Sequence, residues 1–154
     1  MIFITLGTQD KAFTRLLKNI EESNIDDKII AQVGYTSFNS SKMEIYKYID
    51  KEDFSNYLNE ADIIICHGGV GTIMEALKLN KIIIACPRLA KYNEHQNDHQ
   101  IDIVKTFAEK NYLIPLYEND DLNEIYQKAL SFKPDKFIPN NDNFISKLST
   151  YLGI

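Results

Sequence analysis

Cysteine, proline and glycine are all scarce in this chain: two, four and six residues of 154. Long runs of one charge or of apolar residues are missing altogether. Each scarcity excludes something. Two cysteines, Cys66 and Cys86, cannot build a disulfide framework. Each closes an apolar run, and they read as free core thiols of a reducing compartment. A metal site from Cys66, Cys86 and His67 lacks any ligand-pair spacing. With a net charge of −5 and no basic run, phosphate-backbone binding to DNA or RNA is not expected. The longest apolar stretches, 63–66 and 82–86, are strand-length, far short of the ~20 residues a membrane span needs. The first five residues carry no basic n-region, so they read as a first strand and not a signal peptide.

What remains is ordinary globular material, 44% hydrophobic and 25% charged, of a length that suits one domain with a real core. There is no internal repeat and no low-complexity segment. Strand-like segments at 2–6, 28–34, 43–49, 62–66, 81–86 and 112–115 alternate with helical ones. The helices show apolar stripes: Phe13, Leu16, Leu17 and Ile20; Phe54, Tyr57, Leu58 and Ala61; then 72–79; then Ile101, Val104, Phe107 and Ala108 within 98–110; then 122–130. Asp10 is a candidate cap for the first helix, Asp53 stands near the start of the second, and a short last helix is expected near 144–151. Several strands are continuous apolar runs, which suits a sheet covered on both faces. The expected fold class is therefore α/β, an open, doubly wound parallel sheet. In such sheets ligands bind at the carboxyl ends of strands. That rule selects three loops: 7–10, 67–72 and 87–99.

Glycine scarcity makes the second loop conspicuous. Three of the six glycines, Gly68, Gly69 and Gly71, lie within four residues, between the strand 63–66 and a helix that begins near Thr72. A strand that breaks into glycines and restarts as a helix brings bare N–H groups and a positive helix end to one spot, which attracts phosphate. Glu75, in the first helical turns, is placed to accept hydrogen bonds from sugar or ribose hydroxyls. The run is neither the GxGxxG dinucleotide fingerprint nor a P-loop. Gly7 and Thr8 offer similar donors after the first strand. The third loop concentrates Arg88, Lys91, Glu94, His95, Asn97, Asp98, His99 and Gln100, amide, imidazole and acid groups that can read sugar hydroxyls. His95 and His99 have HxxxH spacing, yet no third metal ligand is evident.

These residues carry a resemblance. Gly7-Thr8-Gln9, then the run from His67 through Glu75 to Leu77, then Pro87-Arg88 followed after five residues by Glu94-His95-Gln96-Asn97-Asp98-His99-Gln100, resemble the C-terminal domain of family-28 glycosyltransferases over about residues 1–115. More narrowly they resemble the small E-type subunits of two-component exopolysaccharide and capsule glycosyltransferases. The resemblance implies a single Rossmann-like unit, equivalent to the C-terminal half of a GT-B fold, over residues 1–154. It implies a UDP-sugar donor and inverting transfer of a hexose, galactose favoured, to a lipid-linked polysaccharide precursor. Gly7 and Thr8 would lie near the diphosphate, supported by Gly68, Gly69, Gly71 and Thr72. Glu75 would hold the ribose, and His99 and Gln100 the sugar, with Asn97 and Asp98 beside them. No cofactor and no metal is implied, because helix ends and side chains neutralise the leaving diphosphate.

The acceptor half of such an enzyme would come from a membrane-anchored partner subunit. That pairing places the chain in the cytoplasm, peripheral at the inner face of the membrane. The general base would sit on the partner, with His67 the candidate within this chain. The segment 137–154, with Phe144, Leu148, Tyr151 and Leu152 at helical spacing, would either dock the partner or pack on the domain. A non-catalytic nucleotide-sugar-binding or scaffolding subunit is the alternative. A self-sufficient enzyme such as a sugar-nucleotide epimerase fits less well, since no second wall for the cleft is evident.

Overall fold

A computed structural model describes residues 1–138. In chain order the elements are β1 (Ile2–Thr5), α1 (Thr14–Glu22), β2 (Ile29–Gln32), β3 (Met43–Tyr46), α2 (Lys51–Glu60), β4 (Ile63–His67), α3 (Val70–Lys78), β5 (Ile82–Cys86), a 3₁₀ turn (Ala90–Tyr92), α4 (His99–Glu109), β6 (Ile114–Pro115) and α5 (Leu122–Leu130). The strands form one sheet in the order β3-β2-β1-β4-β5-β6, every pairing parallel. The expected last helix near 144–151, and all but the first two residues of the expected docking segment, lie outside the described residues. Phe137 packs edge-on against Tyr112, with ring centroids 5.4 Å apart, an arrangement aromatic pairs favour.

Every residue of β1, β2 and β4 is buried, because both faces of the sheet are covered. Ile2 and Ile4 of β1 enter a core with Leu16, Leu17 and Ile20 of α1 and Leu122 and Ala129 of α5. Phe3 enters the other core, with Leu58 of α2, Ile73, Ala76 and Leu77 of α3, and Val104 and Phe107 of α4. The period-2 alternation of a strand is present in space, yet hidden in the sequence because both sets of positions are apolar. Cys66 belongs to one core and Cys86 to the other, so the two thiols point to opposite faces. Both are free, and burial pushes each up to about 12.

Some expected boundaries shift. Asp10 does not cap α1; the helix starts at Thr14 with Phe13 at the N-cap position, and the Phe13 N–H donates to Thr36 Oγ1 at 2.9 Å. Asp50 caps α2 by accepting from the Asp53 N–H at 2.8 Å, which places Asp53 in the first turn. β2 ends at Gln32, although Val33 and Gly34 still donate to the Tyr46 and Lys47 carbonyls at 2.9 and 2.7 Å.

One topological feature positions the site. β1 continues through α1 to β2 on one side, and β4 continues through α3 to β5 on the other. The two helices lie on opposite faces of the sheet. The loops leaving β1 and β4 therefore diverge and leave a crevice at the carboxyl ends of these neighbouring strands.

Candidate functional site

His67 closes β4 and is 7% exposed. Thr5 of β1 registers with Cys66 of β4, so the chain after β1 runs beside His67. The imidazole lies between two glycines. A Cβ on Gly7 would sit 2.6 Å from His67 Nε2, and one on Gly69 would sit 2.3 Å from Cε1. Gly7 also has φ +77°, in the left-handed region that glycine enters at little cost. A Cβ on Gly68 would come within 2.9 Å of Gln100 Cβ and Val104 Cγ2, so this glycine lets α4 approach the end of β4. Gly71 alone of the turn glycines has open space where its Cβ would be.

Gln100, in the first turn of α4, is 3% exposed. Its Oε1 accepts from the Gly68 N–H and the Arg88 N–H, both at 3.0 Å. With the oxygen so engaged, the amide nitrogen faces His67 Nδ1 at 3.2 Å. An amide nitrogen can only donate, so Nδ1 accepts and the ring proton belongs on Nε2. Burial, with the Arg88 and His95 charges adding to it, pushes His67 down to about 3. The ring is thus neutral at physiological pH and offers an N–H, not a lone pair. Its geometry does not suit the general base expected of it. Gln100, expected on the sugar, lines the third cleft, with its side chain bonded to main-chain amides and His67. It ties the ends of β4 and β5 to the start of α4.

Three adjoining clefts follow the crevice. The central one, about 340 Å³, is lined by Gly7, Thr8, Gly69, Gly71 and Thr72, with His67 on its wall. Gly69 is the N-cap of α3, and the first intrahelical bond runs from the Ile73 N–H to the Gly69 carbonyl. The N–H groups of Val70, Gly71 and Thr72 precede it and have no partner within the helix. Phe54 lines this cleft and also a second, about 530 Å³, between α2 and α3. There the exposed Glu75 faces Ile49, Phe54 and Leu58. On the other side, Gln9 and Gly69 line both the central cleft and a third, about 270 Å³, which holds His95, Asn97 and His99. The Asp98 carboxylate, expected beside them, accepts from the Ala90 N–H at 2.8 Å and braces the 3₁₀ turn. A larger cavity, about 760 Å³, runs beside α1 and contains none of the glycine-turn residues.

The polar third loop divides in two. Arg88 and Glu94 are 1% and 2% exposed and serve the scaffold. Arg88 donates to the carbonyls of Leu6, Lys11 and Glu94, and burial pulls its guanidinium down to about 10, leaving it charged. Two residues were not anticipated. Thr5 Oγ1 donates to Gln32 Oε1 at 2.8 Å, and Gln32 Nε2 donates to the carbonyls of Lys47 and Gly7 at 3.2 and 3.4 Å. They brace the Gly7 turn from inside the strands. The available sign was a glutamine ending the apolar run Ile29-Ile30-Ala31.

Comparison with known proteins bears on the fold and the family. The UDP-N-acetylglucosamine transferase subunit ALG13 of Candida albicans is 29% identical over 124 residues, covering 80% of this chain and 36% of that protein. The UDP-N-acetylglucosamine–N-acetylmuramyl-(pentapeptide) pyrophosphoryl-undecaprenol N-acetylglucosamine transferase of Clostridium botulinum is 28% identical over 116 residues, covering 75% of this chain and 29% of that one. The chain thus spans about a third of the length of these curated relatives. Among solved structures, the solution structure of ALG13 superposes with a TM-score of 0.59 at 18% identity, covering 94% of this chain and 92% of that one. MurG of Acinetobacter baumannii gives 0.56 at 18% identity, covering 84% and 41%. Residues 1–149 match the glycosyltransferase family 28 C-terminal domain, and the chain belongs to that family.

Proposed function

We propose that this chain binds a UDP-sugar and, with an acceptor-binding partner subunit, transfers the sugar to a lipid-linked polysaccharide precursor. The observation that carries this reading is the unbroken series of three clefts, with a helix N-terminus at its centre. A nucleoside diphosphate sugar has the same sequence of chemistries. Its base suits the apolar wall of Ile49, Phe54 and Leu58, and its ribose hydroxyls suit the exposed Glu75 carboxylate. Its diphosphate suits the α3 amides beside Gly7 and Thr8. Its sugar hydroxyls suit the donor and acceptor atoms of His95, Asn97 and His99.

The chemistry follows from the donors. As the glycosidic bond to phosphate breaks, negative charge grows on the leaving diphosphate. The α3 amides and the His67 Nε2–H oppose that charge without needing to reorganise. The acceptor hydroxyl attacks the anomeric carbon from the opposite face, inverting it. The proton of that hydroxyl passes to a base on the partner, since His67 has no free lone pair to take it. The ALG13 relatives are named as transferase subunits, which supports a partner subunit; a membrane-anchored partner would hold the chain at the inner face of the membrane. The exopolysaccharide resemblance favours galactose, whereas the named relatives use UDP-N-acetylglucosamine.

Calorimetry with UDP, UDP-galactose and UDP-N-acetylglucosamine, without added metal, tests the reading. Binding of UDP and a preference for one of the two sugars are expected. A chain that binds a partner but shows no UDP affinity at millimolar nucleotide would be a scaffold.

A further inference from the structure

We infer that Arg15 and Glu94 form an internal clamp that positions the loop 89–98, and so sets how His95, Asn97 and His99 meet the sugar of the donor. The inference rests on the donor reading above. Arg15 projects from the first turn of α1. Its Nε donates to Glu94 Oε2 and its terminal nitrogen to Glu94 Oε1, each at 3.0 Å, a two-pronged pair. The same terminal nitrogen donates to the Pro87 carbonyl at 3.1 Å. Glu94 Oε1 also accepts from the Leu89 N–H at 2.9 Å, and the Glu94 N–H returns to the Leu89 carbonyl at 3.1 Å. One ion pair therefore gathers the exit of β5 and both ends of the following turn, and fastens them to a helix that packs on the other face of the sheet.

The position of this pair along the chain gives it a role beyond packing. Between residues 91 and 100 only Glu94 and Gln100 are buried. The segment 95–99 is a short span between two buried anchors, and the exposed Asp98 carboxylate within it accepts from the Ala90 N–H. Gln100 fastens one end to the Gly68 turn; at the other, Arg15 holds the Glu94 carboxylate to α1 and Arg88 holds the Glu94 carbonyl. His95, Asn97 and His99, which line the third cleft, all lie on the span. The α3 amides and Glu75 do not. Loosening the Glu94 anchor would shift the contacts to the sugar while leaving the contacts to the nucleotide in place. Arg15 and Glu94 lie outside the three clefts and are positioning residues.

The test compares UDP with UDP-galactose and UDP-N-acetylglucosamine by calorimetry on the full chain. The variants are Arg15→Met, which keeps an unbranched side chain without the charge, and the double variant Arg15→Met/Glu94→Gln, which avoids a lone buried charge if the single change unfolds the protein. Arg15→Lys is the conservative control. UDP affinity is expected to stay within about twofold, while affinity for the preferred UDP-sugar falls about fivefold or more, because a loosely held site forfeits contacts that depend on position. Arg15→Lys should recover part of the loss. If UDP and UDP-sugar weaken in parallel, or neither changes, the pair is only structural and the inference fails. If the unaltered chain binds neither nucleotide, the donor reading itself falls, and the clamp inference with it.

Discussion

His67 shows how one residue can be prominent in sequence and still have its chemistry decided by neighbours far along the chain. Gln100, 33 positions away, fixes its tautomer, and burial between Gly7 and Gly69 keeps it neutral. This has a consequence for stability. The ordinary imidazole value is 6.5 and the folded value about 3. Between them the unfolded chain takes up a proton that the folded one refuses. This contribution is therefore complete above about pH 6.5 and is lost as pH falls toward 3, with a slope approaching about 1.4 kcal/mol per pH unit. His67→Gln should flatten the fall in urea midpoint between pH 7 and pH 5. Parallel curves for the two proteins would show that the ring is solvated. Gln100→Ala leaves the Gly68 and Arg88 amides buried without their acceptor, and should cost about 2–4 kcal/mol in denaturant melts. Loss within about 0.5 kcal/mol would mean water replaces the amide.

At the scale of elements, α3 concentrates the proposed phosphate and ribose contacts, and its glycines are not equivalent. Gly69→Ala drives a methyl into the rigid His67 ring and should lower stability by about 1–3 kcal/mol. Gly71→Ala meets nothing within 4 Å and lies inside the helix. It should raise stability by about 0.5–1 kcal/mol, while its methyl, in the central cleft, weakens UDP binding. Thermal melts and calorimetry on both variants separate the two roles; equal destabilisation would refute the distinction. Glu75→Ala should weaken UDP binding by about 1.5–3 kcal/mol through lost charge-assisted hydrogen bonds. Unchanged affinity would remove Glu75 from the site. The elements themselves were legible: among the described residues, apolar runs and stripes located each strand and α-helix, with ends displaced by at most three residues. The start of α1 is an end set with a distant partner, Thr36 accepting from the Phe13 amide. Asp10 failed as a cap because no local pattern reveals that bond.

For the whole molecule, the sheet supplies one wall of a cleft. The clefts open at the carboxyl ends of the strands, and the chain spans about a third of the length of the Candida albicans and Clostridium botulinum relatives. A second wall from a partner completes the proposed enzyme. Radiolabelled sugar should pass from the donor to membranes only when the partner subunit is co-expressed. Robust transfer by the purified chain alone would overturn the two-subunit proposal.

The sequence by itself determined the α/β class, the order of elements, and the three loops that meet at one rim. Those features follow from local rules, namely the period of apolar residues and the places where glycine or proline interrupts it. It also named part of the cleft lining, among it Gly7, Thr8, Gly69, Gly71, Thr72, Glu75, Asn97 and His99, but not the apolar wall of Ile49, Phe54 and Leu58. Only the tertiary structure decided what each does there. Gln100 bonds main-chain amides at the edge of the third cleft, Asp98 bonds the 3₁₀ turn, and Arg88 and Glu94 lie in the interior. The reason is physical. A polar side chain near a strand end reads the same in sequence whether it faces a ligand or satisfies a buried amide. The choice depends on which unpaired backbone groups the folded chain brings within about 3 Å of it.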